Sequence, residues 1–223
     1  VNILLKYPTR GRPRQFAETL SGWLRQASDL ERVSVLVTCD EDDASMSDDA
    51  LDGARASHPR LAIRRDANRT KIEACNRGLF DSSWDVVLAV SDDMFCCRSG
   101  WDDVVRSKML SCHGGTDGAL WFHDGCQREI NTIECVGRAR CERFGYIYHP
   151  DYASFYCDNE STLVGLRDGK LPYIEDPICT HEHPAWGRSG VKYDGTYERN
   201  SSWWQHDRKI FEARRLAGFP TGS

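Results

Sequence analysis

The sequence predicts an α/β fold with a mainly parallel central sheet flanked by helices, in one domain. Three observations carry this. Over the first hundred residues, short continuous apolar runs alternate with segments whose apolar residues recur at helical spacing, the pattern of strands covered on both faces by intervening helices. Two of the apolar runs end directly in carboxylates, "VTCDEDD" at 37–43 and "LAVSDDM" at 88–94, and ligands of such sheets gather at the carboxyl ends of strands. No internal repeat, low-complexity stretch or linker divides the 223 residues.

The elements follow in order. "NILLKYPTRGRP" is a buried strand and then a loop punctuated by Pro8, Gly11 and Pro13. "RQFAETLSGWLRQA" spaces Phe16, Leu20, Trp23 and Leu24 as one helical face. "VSVLVTCDEDD" is a second strand ending in acid, "DDALDGARAS" a weak helix and "RLAIRRD" a third strand. "KIEACNRGLFDS" reads as a helix and "WDVVLAVSDDM" as a fourth strand. Beyond residue 100, "WDDVVRSKML" is helical. Residues 112–157, rich in Gly, Cys, His and aromatics, offer the strand-like pieces "GALWFHD" and "FGYIYH". "NESTLVGLRDG" is a helix that stops near Gly169, and "LPYIEDPICTHEHPAWG" a strand and loop with two His. "SSWWQHDRKIFEARRLAGFP" is an amphipathic helix stopped by Gly218 and Pro220.

Composition narrows the function classes. Hydrophobic residues make up 40% and charged residues 28%, ordinary for a soluble globular protein. No apolar run approaches the ~20 residues of a membrane span. The net charge of −5 disfavours nucleic-acid binding over the whole surface. Three local basic clusters stand out: Arg10, Arg12 and Arg14; Arg64, Arg65, Arg69 and Lys71; Arg138, Arg140 and Arg143. Ten cysteines without a C-x-x-C pair read as reduced thiols of a cytoplasmic protein, the host cytoplasm if phage-encoded. His123, Cys126, Cys135 and Cys141 match no common zinc spacing.

Asp92 and Asp93 pose the functional question. Two adjacent carboxylates at the end of a buried strand repel each other and resist burial unless something cationic compensates. A metal ion would do so. The two acids acting only as caps of the next helix is the plain alternative.

Taken in chain order, Pro8-Thr9-Arg10-Gly11-Arg12-Pro13, then Asp40, then Asn76-Arg77-Gly78 and Ser91-Asp92-Asp93, then Asp158-Asn159-Glu160 with His181 and His183 beyond, resemble the GT-A glycosyltransferases, specifically the compact family-2-like members. The resemblance covers nearly the whole chain. It implies a single GT-A, Rossmann-like domain over 1–223, with 1–100 the nucleotide-sugar half and 101–223 the acceptor half. It implies a metal-dependent inverting glycosyltransferase that takes a sugar from a nucleotide sugar, a UDP-sugar above all, to an acceptor hydroxyl. Pro8, Thr9, Arg10, Arg12 and Asp40 would hold the nucleotide, the Asp40 carboxylate accepting from the uracil imide. Lys71 or Arg77 would approach the phosphates, Asn76 would belong to the nucleotide site, and Asp92 would meet the ribose or the metal. Asp93, with His181 or, as the alternative, His183, would hold Mn²⁺ or Mg²⁺.

Ser91 stands where the family's D-x-D motif has its first Asp, and Cys157 where a Glu is usual before the base. Asp158, with Glu160 beside it, would be the catalytic base. Trp121, Phe122, Tyr146, Tyr148, Tyr152 and Tyr156 would offer stacking surfaces to an acceptor. That acceptor is a saccharide or a modified DNA base, such as a 5-hydroxymethylpyrimidine of phage-type DNA. A sugar nucleotidyltransferase would need a more Gly-rich loop than "PTRGRPR", and a catalytically dead binding module would have no use for both Asp93 and Asp158.

Overall fold

The computed structural model describes residues 1–184 and 193–220. Ile3–Thr9 (β1) is buried at nearly every position because it lies at the centre of the main sheet. Pro13–Arg25 (α1) leads to Val33–Asp40 (β2), Asp48–Ser57 (α2), Leu61–Asp66 (β3), Lys71–Asn76 (α3) and Val86–Ala89 (β4). Met94–Cys96 (β5), Trp101–His113 (α4), Ala119–Phe122 (β6), Cys135–Gly137 (β7) and Arg138–Phe144 (α5) follow. Cys157–Arg167 (α6), Tyr173–Ile174 (β8), Cys179–His181 (β9), Gly195–Ser201 (α7) and Trp204–Leu216 (α8) complete the order.

Seven strands form the main sheet in the order β3-β2-β1-β4-β7-β6-β8. β1 is parallel to β2 and β4, β2 to β3, and β6 to β8; β7 runs antiparallel to both its neighbours. The expected mainly parallel sheet is therefore present. Alternation along β1 sends Ile3, Leu5 and Tyr7 to one core with Phe16, Trp23 and Trp101, and Leu4 to a second core with Ile72, Cys75 and Cys157. Each face of the sheet is thus covered by helices. In the first core Trp23 and Trp101 meet edge to face at 5.1 Å. Each indole N–H is satisfied by a carbonyl, Met94 O at 3.0 Å and Trp23 O at 2.8 Å, so two large rings are buried without an orphaned donor.

Several expected elements differ. The helix from Lys71 stops at Asn76, because Arg77 is extended and Gly78 turns left-handed at φ +69°. A side chain at Gly78 would also meet Arg64 at 3.0 Å. The fourth strand ends at Ala89, and Met94–Cys96 pairs instead with β9 in a separate antiparallel ribbon. "FGYIYH" is no strand. It follows the end of α5, and Asn76 fixes it by accepting from Ile147 N (2.9 Å) and Tyr148 N (3.2 Å) and donating to Tyr148 O (2.6 Å). The C-terminal amphipathic helix starts at Trp204, after the separate α7. Six cysteines are buried as thiols, acting as small hydrophobes. Among the described residues no helix is long and apolar enough to cross a membrane.

Candidate active site

The chain runs β1, β2, β3 outward on one side of β1 and returns to β4 on the other. Such a reversal opens a crevice at the carboxyl ends of the strands. Here it is a cleft of about 760 Å³ including its open mouth. Pro8, Thr9, Arg10 and Arg12 line it from the end of β1, Asp40 from β2, Lys71 from α3, and Asp92 and Asp93 from beyond β4. Tyr197, Arg199 and Trp203 line it from α7 and the turn after it.

Both carboxylates of the pair are buried, at 4% and 5% exposure. Asp92 accepts from Thr9 Oγ1 at 3.0 and 3.2 Å. Burial, then the charge of Asp93, push its pKa up to about 8, so near neutral pH only one of the two acids is charged. Asp93 carries that charge. Burial opposes it, but His181, Ser91 and Lys71 hold its pKa well below the usual carboxylate range. Tyr197 Oη donates to Asp93 Oδ2 at 2.7 Å, Ser91 Oγ donates to Oδ1, and His181 Nε2 lies 3.5 Å from Oδ1.

The ribbon places His181. Met94 pairs with His181 across it, and Glu182 N donates to Asp93 O at 2.7 Å. The ribbon is itself tied to the first helix and the residue after it, through Trp23 and through Gln26 Nε2 to Cys96 O at 2.7 Å. His183 packs edge-on against Tyr197 at 4.9 Å. Its pKa falls to about 4, through burial first and the cations nearby, against the pull of Asp93, which leaves a neutral imidazole with a lone pair.

Neighbouring carboxylate and imidazole donors fit a divalent cation in kind, and a cation would offset the burial and the repulsion that raise the pKa of Asp92. Among the described residues, no three His, Cys, Asp or Glu side chains are already grouped as a metal centre.

Opposite the pair stands Lys71. It is exposed along the open cleft, yet enough protein surrounds it that burial disfavours its charge. The thiols of Cys75 and Cys157 and the carboxylates of Asp93 and Asp158 more than offset this, and its pKa is raised. Lys71 is thus within electrostatic reach of both key acids.

Asp158 is the second residue of α6 and not its cap; that place belongs to Tyr156, held left-handed at φ 62°. Asp158 accepts from Asn159 N at 2.9 Å. Burial raises its pKa, opposed mainly by Lys71, so its proton affinity is greater than that of an ordinary carboxylate. The approach to α6 is fixed from α8. Fully buried Asp207 accepts from the backbone N–H groups of Ala153 (2.9 Å), Ser154 (2.8 Å) and Phe155 (2.7 Å).

Other expected site residues are differently engaged. Asn76 does not line the cleft; its amide is spent on residues 147–148. Glu160 faces away, paired to Arg214 Nε and Nη2, both at 2.8 Å, and accepting from Tyr152 Oη at 2.8 Å. This buried, fully occupied carboxylate is structural. Arg12 lines the cleft, but its guanidinium forms two hydrogen bonds with Asp194 (2.8 and 2.7 Å) and stacks on Tyr197 at 4.0 Å. Asp40 is met by Arg10 at 2.6 Å and Arg199 at 3.4 Å.

Trp121, Phe122, Tyr148 and Tyr152 are core residues, at most 8% exposed, and not stacking surfaces. The basic clusters are largely neutralised. Arg64 pairs with Asp66 and Asp81, Arg69 with Glu73, Arg138 with Glu142 and Arg143 with Asp117, while Arg140 is buried.

The sequence reading missed Tyr197, Arg199 and Trp203. Their signal was "DGTYERN", where Asp194 caps α7 by accepting from Thr196 N (3.0 Å) and Tyr197 N (3.2 Å), an acidic N-cap ahead of a short helix.

No protein-family model matches the sequence, and no curated protein is similar to it in sequence. Solved structures are similar in fold. S. aureus TarS superposes with a TM-score of 0.65 at 12% identity, over 80% of this chain and 36% of that one. The mannosyltransferase PcManGT from Pyrobaculum calidifontis, in complex with GDP-Man and Mn²⁺, gives 0.65 at 17% identity over 96% of this chain and 61% of that one. Glucosyl-3-phosphoglycerate synthase from Mycobacterium tuberculosis, with Mg²⁺ and UDP, gives 0.56 at 15% identity over 82% and 72%. The chain thus spans from about a third to about three fifths of the first two. The fold is that of the GT-A glycosyltransferases.

Proposed function

We propose that the chain is a divalent-metal-dependent, inverting glycosyltransferase that moves a sugar from a UDP-sugar to an acceptor hydroxyl. The observation that carries the reading is the buried Asp92–Asp93 pair lining the cleft, with His181 3.5 Å from Asp93 and with Lys71, in the same cleft, within electrostatic reach of Asp93 and Asp158. Asp40, an acceptor-only group at the end of β2, suits the imide N–H of uracil. Thr9 and Asp92 form the cleft's inner edge, where a ribose would lie. Asp93 and His181, with His183 beside them, would hold Mn²⁺ or Mg²⁺; bound there, the ion neutralises charge that develops on the leaving diphosphate. Lys71 adds a fixed positive charge beside the same phosphates.

Asp158 takes the proton of the attacking hydroxyl. Its raised proton affinity suits a base working near neutral pH. One base, opposite the leaving group, implies inversion. Residues 1–100 supply most of the donor site and 101–223 the acceptor side, with α7 reaching back from the second half to cover the first. Ion pairing within the basic clusters takes away most of the support for an acceptor on DNA, and saccharide acceptors are favoured.

The test is to incubate the protein with Mn²⁺ and a panel of nucleotide sugars, following donor hydrolysis and the anomeric configuration of products by NMR. Turnover of UDP-sugars with inversion supports the reading. Retention of configuration, or no turnover of any nucleotide sugar with any divalent ion, contradicts it.

A further inference from the structure

A second cavity, about 380 Å³ including its opening, lies between α5, the segment 146–149 and α6. Its walls hold a guanidinium, that of Arg140, with no hydrogen-bonded or ion-paired side-chain partner among the described residues. Arg140 is 5% exposed, its Nη1 is sealed from solvent, and among the described residues its guanidinium donates no hydrogen bond. A guanidinium is charged at any physiological pH, and burying it unpaired is costly. The Phe144 ring at 4.8 Å is its closest compensation, and a weak one.

The nearby acids are committed elsewhere. Glu134 attracts Arg140 through space but makes no ion pair with it; Ser161 Oγ donates to Glu134 at 2.9 Å and Asn131 Nδ2 at 3.5 Å. Glu160 is held by Arg214 and Tyr152. The remaining polar groups of the cavity are donors. The Tyr146 and Tyr148 hydroxyls make no hydrogen bond among the described residues. His149 Nδ1 lies 3.3 Å from Asp151 N and 3.7 Å from the Asp151 carboxylate, so that side of the ring is engaged by Asp151. The cavity therefore offers donors whose acceptor must come from outside.

We propose that this cavity binds a compact oxyanion, a carboxylate or a phosphate group, with Arg140 as its charge partner and the Tyr146 and Tyr148 hydroxyls as further donors. An acceptor-only group with two or three oxygens satisfies a guanidinium fork and two hydroxyls at once. The flanking Val136 and Val164 favour a ligand whose anionic group sits on an apolar body. The site is separate from the cleft and does not depend on the transferase reading.

The experiment is an amide chemical-shift titration of the whole chain with inorganic phosphate and, separately, with acetate. Saturable shifts at residues 136–149 and 157–164 are expected, and the probe that binds more tightly identifies the phosphate or the carboxylate class. Arg140→Met, which keeps the apolar stem, should abolish the shifts. Tyr146→Phe and Tyr148→Phe should each weaken binding about tenfold, as loss of a hydrogen bond to a charged group does. If Arg140→Met does not fold, the two hydroxyl variants decide. The proposal is overturned by shifts confined to Pro8–Arg12 and Asp92–Asp93, by no response to either probe, or by unchanged affinity in the variants.

Discussion

Glu160 and Asp158 are two residues apart in the first turn of α6; the contacts of Glu160 make it structural while Asp158 is the proposed base, a division that amide substitutions can separate. Glu160 accepts three hydrogen bonds, each 2.8 Å, two of them from a guanidinium whose side chain is only 13% exposed. Glu160→Gln keeps the shape but removes the charge and one acceptor oxygen, leaving Arg214 buried beside a neutral amide. Breaking a buried pair costs roughly 3–5 kcal/mol, and the oxygen that Gln retains puts the loss near the lower limit, about 3 kcal/mol. For a chain of this length that lowers the melting temperature by roughly 6–12 °C. Asp158→Asn should do the reverse. It disturbs one hydrogen bond to Asn159 N and leaves stability within about 0.5 kcal/mol, but it cannot take a proton, so turnover falls by roughly 10²–10⁴. Urea unfolding and calorimetry measure the first quantity, and donor turnover at saturating substrate the second. Normal stability with lost turnover in Glu160→Gln, or near-normal turnover in Asp158→Asn, would refute the division of roles.

Further predictions follow from the same contacts. Asp207→Ala leaves three buried amides without acceptors and should cost about 3 kcal/mol or more, with hydrogen exchange at Ala153, Ser154 and Phe155 accelerated above all others. Asp93→Ala should remove Mn²⁺-dependent UDP binding in calorimetry while the far-UV spectrum stays unchanged. Asp40→Ala should weaken UDP about tenfold through the lost base contact, and equal competition by UDP, GDP and CDP against the wild type would dismiss uracil recognition by Asp40. Glu134, 1% exposed, has its pKa raised by burial to about 7. The folded state therefore binds its proton more tightly than the unfolded one, and stability should fall by about 3 kcal/mol as pH rises from about 4.5 to 7. Glu134→Gln should be free of that slope, and parallel pH–stability curves for the two proteins would count against it.

What the sequence made legible was whatever rests on local pattern. The alternation through residue 94 gave the parallel half of the sheet because each strand there starts on an apolar run and the segments between show helical spacing, and the acids at the end of β2 and beyond β4 fell at the crevice by topology alone. Cys135–Gly137 and Arg138–Phe144 escaped because three- and seven-residue elements are too short to show a period. "FGYIYH" alternates like a strand but is bound by a single distant amide, Asn76, which no periodicity reveals. Asp40, Lys71, Asp92 and Asp93, expected from motif order, line the cleft, and His181 lies 3.5 Å from Asp93. Glu160 was misplaced because its partner Arg214 lies 54 residues away, and Tyr197 was missed because its tie to Asp93 spans 104 residues.

The tie between Asp207 and residues 153–155 also sets an order of events during folding. The parallel half of the sheet closes through contacts made within the first hundred residues, so it can form as soon as that stretch of chain is available. The entrance to α6 cannot be set then, since its three amides wait for a carboxylate 52–54 residues downstream, and closing so long a loop precedes any return from the contact. A nascent chain that has released α6 but not α8 would carry the parallel half of the sheet with the approach to α6, and so Asp158, still unfixed. Fixing the start of α6, and with it the proposed base, is therefore a late step in folding, and a chain cut before residue 207 should keep the parallel half of the sheet while leaving residues 153–155 without their acceptor.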